Sequence, residues 1–141
     1  MKKNSKYLLH IAWVQSLVAM LGSLYFSEVR HFTPCVLCWY QRILMYPLTV
    51  LIAVGLIRKD KNIPYYVLPL SLIGTLIAAY HNLLYYKILP DSLTPCVAGV
   101  SCTTRFFAWY GFITIPLLSL TAFLVIDICM VLFLKWKKQK V

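Results

Sequence analysis

The chain has 141 residues, room for one domain. It is 61% hydrophobic and only 13% charged, more apolar material than a soluble core of this size can hide, so lipid rather than water is its solvent. A formal charge of +10 would suggest a nucleic-acid partner in a soluble protein, but the basic residues stand mostly between apolar runs and read as an orientation signal.

Four apolar runs predict four membrane-spanning helices, at about 7–27, 39–57, 64–86 and 106–134, in a single four-span domain over residues 1–141. The expected fold is all-α, an integral membrane four-helix bundle. The first run follows the basic start MKKNSK, yet its apolar part is too long for a cleaved signal and no small-residue cleavage site follows. It reads as a retained first helix.

Ten basic residues lie at the N-terminus (Lys2, Lys3, Lys6), in the loop RKDKN (Arg58, Lys59, Lys61) and in the tail (Lys135, Lys137, Lys138, Lys140). The other two loops and their borders hold only Arg30, Arg42, Lys87 and Arg105. The positive-inside rule then predicts cytoplasmic termini and outward-facing first and third loops. Those two loops carry Cys35, Cys38, Cys96 and Cys102, on the side where disulfides persist. Trp39, Tyr40, Tyr85, Tyr86, Trp109 and Tyr110 cluster at the same ends, as interface aromatics do. Cys129 falls near the opposite end and reads as a small apolar filler.

The second run, Ile43–Ile57, would reach only about 22 Å, short of a hydrocarbon core of about 30 Å. Extending it back through Trp39–Arg42 repairs most of the deficit. Thr33 and Pro34 then read as an N-cap and first-turn proline, with Cys35 and Cys38 in the opening turns. Unpaired N–H groups and the positive helix end favour a thiolate there, and Arg42 stands at i+4 from Cys38. Desolvation opposes this, but two charge effects act together for the thiolate. As a structural disulfide the pair would close a tiny loop and stabilise little, which makes it a redox device before a staple. Zinc ligation is the rival reading of C-x-x-C; haem attachment is excluded because Trp39 stands where histidine is needed.

Cys96 and Cys102 are separated by five residues, with Gly99 making the segment pliable. Such a pair can form a disulfide open to attack by another thiolate, or a structural staple; for zinc the spacing is slightly wide. Two pairs on one face suggest a relay from an outside thiol protein to the inner pair, and from there to a membrane quinone.

CVLCWYQR in a four-span chain, with a second cysteine pair in the second outer loop, resembles the DsbB family of quinone-linked thiol oxidases. The short spacing of the second pair is similar to the BdbC-like branch of Gram-positive bacteria. The resemblance implies an oxidoreductase of the bacterial cell membrane that reoxidises an extracytoplasmic thioredoxin-like protein (DsbA/BdbD-like). Menaquinone or ubiquinone would be the electron acceptor, with no metal. By resemblance Cys38 meets the quinone, Cys35 is its partner and Arg42 adjoins the quinone. Cys96 forms the mixed disulfide with the soluble protein, and Cys102 completes that pair.

His81 lies about one and a half turns before Tyr86, at the depth expected for Cys38 and Arg42, and either serves the quinone or is satisfied by a neighbouring helix. Gln15 reads as interhelical packing, and Asp127 as snorkelling or pairing with the basic tail. Pro47, Pro69 and Pro116 are expected to bend helices two, three and four. Two rival functions remain: a membrane module holding one ion on Cys35, Cys38, Cys96 and Cys102, and a scaffold with two inert disulfides.

Overall fold

A computed structural model describes residues 3–93, 102, 108–109 and 113–139. Its architecture is all-α: α1 (Lys3–Leu24), α2 (Val36–Arg58), α3 (Pro64–Tyr85) and α4 (Ile115–Lys138). Each helix has at least 22 residues, about 33 Å at 1.5 Å per residue, and each is long and apolar enough to cross a membrane. α1 packs on α2 and α4, and α3 packs on the same two, closing a four-helix bundle.

The buried positions recur at helical spacing. α1 contributes Leu9, Ala12 and Ser16; α2 contributes Met45, Leu48, Thr49 and Ile52; α4 contributes Phe123, Ile126, Met130 and Phe133. The opposite faces are equally apolar, with Val14, Leu21, Val50, Leu76 and Ile128 exposed. A soluble helix would carry polar residues there; here that surface meets lipid. Close contact between helices needs small residues, and Gly74 of α3 is one: a Cβ there would collide with the Phe123 ring of α4.

The α1 end unwinds into a wider π-helical turn, Tyr25–Val29, and His31 then takes a left-handed conformation (φ 53°). The chain runs extended to Cys35, which caps α2 with φ −74° and ψ 171°. The Cys35 carbonyl accepts the first intrahelical bond, from the Trp39 N–H at 3.1 Å. α2 thus starts two residues later than a Thr33 cap would allow, because Pro34 stays in the extended approach. Cys35 is still at the cap and Cys38 at the third helical position.

The fourth helix also differs from its sequence expectation. It begins at Ile115 rather than near 106, because Ala108–Trp109 pairs antiparallel with Ile113–Thr114 in a two-residue ladder. The Thr114 hydroxyl caps α4 by accepting from the Leu117 N–H at 3.4 Å. Pro116 therefore sits in the first turn, where proline costs nothing, and does not bend the helix body; Pro47 and Pro69 do lie inside α2 and α3.

Asp127 is buried at the α3–α4 contact instead of snorkelling. Its carboxylate accepts from the Thr75 hydroxyl at 2.6 Å and from Ser71. The tail is held elsewhere: Lys137 Nζ donates to Asn62 Oδ1 at 2.9 Å and stands 5.0 Å over the Tyr65 ring. That contact joins the basic tail to the basic α2–α3 loop at one end of the bundle.

Candidate active site

At the other end, the start of α2 meets the last turns of α1 and α3. The Cys35 thiol donates to Cys38 Sγ at 3.0 Å, a separation that one oxidation step would close to a bond. Both are free thiols; Cys35 is buried and Cys38 half-buried. The cap geometry places them there: Cys35 ends the extended segment and Cys38 is one turn along, so both sulfurs lie on one side of the helix start.

His81 comes from the last two turns of α3 and is 2% exposed. Gln41 Nε2 donates to His81 Nδ1 at 3.1 Å, so the ring carries its proton on Nε2. That nitrogen lies 3.7 Å from Cys35 Sγ and 3.3 Å from the Cys102 carbonyl oxygen. Gln41 is in turn fixed by α4, where the Ser119 hydroxyl donates to its Oε1 at 2.5 Å. A chain of side chains from three helices thus ends on a sulfur.

Arg42 leans toward α1 rather than lying on the cysteine pair. Its Nε donates to the Ser23 hydroxyl at 2.7 Å, one terminal nitrogen to the Ser23 carbonyl at 2.8 Å, and the other to the Ser27 hydroxyl at 3.4 Å. Carbonyls near a helix end are short of partners, and the guanidinium fork takes one. It also lies 5.5 Å over the Trp39 ring.

Cys102 is disulfide-bonded and 2% exposed. It is packed in one buried cluster with Cys35, Leu37 and Leu84, with Cys38 at the margin. Cys102 is therefore seated on the Cys35–Cys38 pair. Cys96 lies outside the described residues, as do Arg105 and Tyr110.

These groups border a cavity of about 300 Å³ between α1, α2 and α4, the lower end of the size range for small-molecule sites. Cys38, Arg42, His81 and Ser119 are among its polar lining, and Met45 and Phe123 among its apolar walls. A planar, largely apolar ring with polar edges suits such a space. Donor atoms of Cys35, Cys38 and His81 also lie within 4.8 Å of one another, close enough to share an ion. The four-cysteine ion site is another matter: a disulfide-bonded Cys102 has no thiolate to give it.

Sequence reasoning named Cys35, Cys38, Arg42 and His81 as candidates and missed the side chains that bond to them. Gln41 was findable, since it is three residues after Cys38 and so on the same helix face. Ser23 and Ser119 carry no such signal, because only the packing of α1 and α4 brings them in.

The family model for "Disulfide bond formation protein DsbB" matches residues 5–133. The chain is 48% identical to the "Disulfide bond formation protein C" of Bacillus subtilis, covering 98% of this chain and 99% of that one. It is 43% identical to a "Probable disulfide formation protein C" of Halalkalibacterium halodurans, covering 97% and 100%. It is 40% identical to a "Probable disulfide formation protein" of Metapseudomonas resinovorans, covering 89% and 88%. No solved structure matches. A dithiol at a helix start, a third cysteine docked on it, four membrane spans and these relatives together make the chain a member of the DsbB family of membrane disulfide formation proteins.

Proposed function

We propose that the protein accepts electrons from an extracytoplasmic thioredoxin-fold thiol protein, of the DsbA/BdbD kind, and delivers them to menaquinone or ubiquinone in the bacterial cell membrane. The cysteine end of the bundle faces outward and both termini lie in the cytoplasm. The excess of Lys and Arg at the opposite end supports that orientation.

One observation carries the reading: Cys102, in a disulfide, is buried against Cys35, with its carbonyl 3.3 Å from the His81 nitrogen that faces Cys35. Electron transfer between two thiol pairs requires sulfur-to-sulfur attack, so the pairs must meet. A thiolate of the soluble protein attacks Cys96 of a Cys96–Cys102 disulfide, and its second thiol resolves the mixed disulfide. The loop pair, now two thiols, passes the same two electrons to a Cys35–Cys38 disulfide by a second exchange. The Cys96–Cys102 bond is then restored, and Cys35 and Cys38 are left as thiols.

A quinone in the cavity supplies the sink for two electrons and two protons as the Cys35–Cys38 bond re-forms. Both cysteines border the cavity, and Cys38 is the one for this step because it stands one turn from Arg42 on α2. Arg42, fixed by Ser23, places positive charge beside developing negative charge on oxygen. His81 keeps a proton on Nε2 at the site. The apolar walls exclude water.

The test is anaerobic. Fully reduced protein is freed of reductant and mixed with a soluble quinone analogue, and free thiols are counted by maleimide mass shift. Four thiols should vanish and one remain, Cys129, with the loss blocked in Cys38→Ser. No loss on adding quinone, with zinc protecting all four, would replace this reading with an ion-binding module. Loss of stability without loss of redox activity in Cys38→Ser would point to a scaffold.

A further inference from the structure

Two buried side-chain oxygens among the described residues have no hydrogen-bond partner, Asn82 Oδ1 and Tyr46 Oη. Asn82 does not border the cavity, and its amide nitrogen is already bound to the carbonyls of Ala78 and Pro116. Tyr46 does border it. A hydroxyl shut away from water without a partner costs free energy that a phenylalanine in the same place would not. The ring borders the open space while its hydroxyl is covered by protein, so a ligand's acceptor meets that donor as the ring shifts toward the cavity.

The position along α2 says which acceptor. Cys38, Arg42 and Tyr46 follow one another at four-residue spacing, one stripe facing the cavity, each about one helical turn beyond the last. On the facing wall of α1, Ser23 pairs with Arg42, and Ala19 and Gln15 come one and two turns deeper. Gln15 makes no hydrogen bond among the described residues, and it too lines the cavity. A para-quinone carries its two oxygens on opposite ring edges, about one helical turn apart. With one edge at Cys38 and Arg42, the other reaches the level of Tyr46.

We propose that the Tyr46 hydroxyl binds the quinone oxygen turned away from the cysteine pair, with Gln15 below it where the ring's substituents begin. This rests on the quinone reading above and names the residue that holds the far edge of the ring. A donor at that oxygen matters more as the ring takes up electrons, because charge grows on both oxygens. It also gives the cavity a means of telling a para-quinone from an apolar ring of the same size.

The experiment uses full-length Tyr46→Phe and parent protein in detergent, with a short-tailed benzoquinone analogue as probe. Three quantities are read: the rise in Tm that the probe gives the oxidised protein, which has no electrons to pass to it, KM for the probe, and the rate of disulfide exchange with a soluble dithiol. In the variant, KM should rise about tenfold and the probe's Tm shift should shrink, while dithiol exchange stays at the parent rate. Without probe, the variant's Tm should equal or exceed the parent's, since the hydroxyl has no protein partner to lose. An unchanged KM and Tm shift would overturn the proposal, and so would a lower Tm without probe, which would reveal a structural partner. If the parent itself neither binds nor reduces the probe, the quinone reading fails and takes this inference with it.

Discussion

Gln41 Nε2 donates to His81 Nδ1 at 3.1 Å, and that bond decides which ring nitrogen faces Cys35. With Nδ1 occupied as an acceptor, the neutral ring must present N–H from Nε2 toward the sulfur and the Cys102 carbonyl. Gln41→Leu frees the ring to turn over. It should slow quinone-dependent loss of the Cys35 and Cys38 thiols about tenfold, with dithiol exchange at Cys96 and Cys102 unchanged. Gln41→Glu accepts where Gln41 donates, and should be no better than leucine. Stopped-flow thiol counting checks both, and parent-like rates in Gln41→Leu would return the residue to packing.

His81→Ala removes the proton holder itself. Quinone reduction should fall on the order of 10²-fold, the usual scale for losing one positioned acid or base. Exchange between the cysteine pairs should persist. Equal turnover to the parent would make His81 a buried histidine with no part in the chemistry.

Arg42 has two duties that separate by substitution. Its bonds to Ser23 and Ser27 tie α2 to α1, and its charge borders the cavity. Arg42→Ala should cost about 1–3 kcal/mol in thermal or denaturant unfolding and raise KM for quinone at least tenfold. Arg42→Lys keeps the charge without the planar fork, so it should recover part of the KM and less of the stability. Unchanged KM in Arg42→Ala would sink the quinone role.

Gly74 admits the Phe123 ring of α4 where any side chain would collide with it. Gly74→Ala should lower stability by about 1–3 kcal/mol through overpacking. Because Phe123 also walls the cavity, the displaced ring should weaken quinone binding as well, which Gly55→Ala, away from the cavity, should not do. Equal quinone affinity in the two variants would separate the helix contact from the cavity.

Asp127 is a different kind of buried polar residue. Asp127→Leu strands the Thr75 hydroxyl, while Ser71 keeps the Leu68 carbonyl at 3.3 Å, at about 1–3 kcal/mol, whereas Asp127→Asn keeps an acceptor and should lose less. Turnover per folded molecule should be unchanged in both. A selective loss of quinone reduction in Asp127→Asn would give the carboxylate a part in the reaction.

Sequence alone determined four spans, the end of the bundle that holds the cysteines, and the candidacy of Cys35, Cys38, Arg42 and His81. Those follow from local rules: run length against bilayer thickness, charge asymmetry, and i to i+4 spacing on one helix. Tertiary structure decided what each candidate touches. No spacing in the chain tells that Arg42 turns to Ser23, that Ser119 fixes Gln41, or that Cys102 buries itself against Cys35, because each contact joins helices far apart in sequence. Asp127 went astray for the same reason, since its partners are on α3 and not in the tail beside it. Periodicity names the face a residue occupies; only packing names what that face meets.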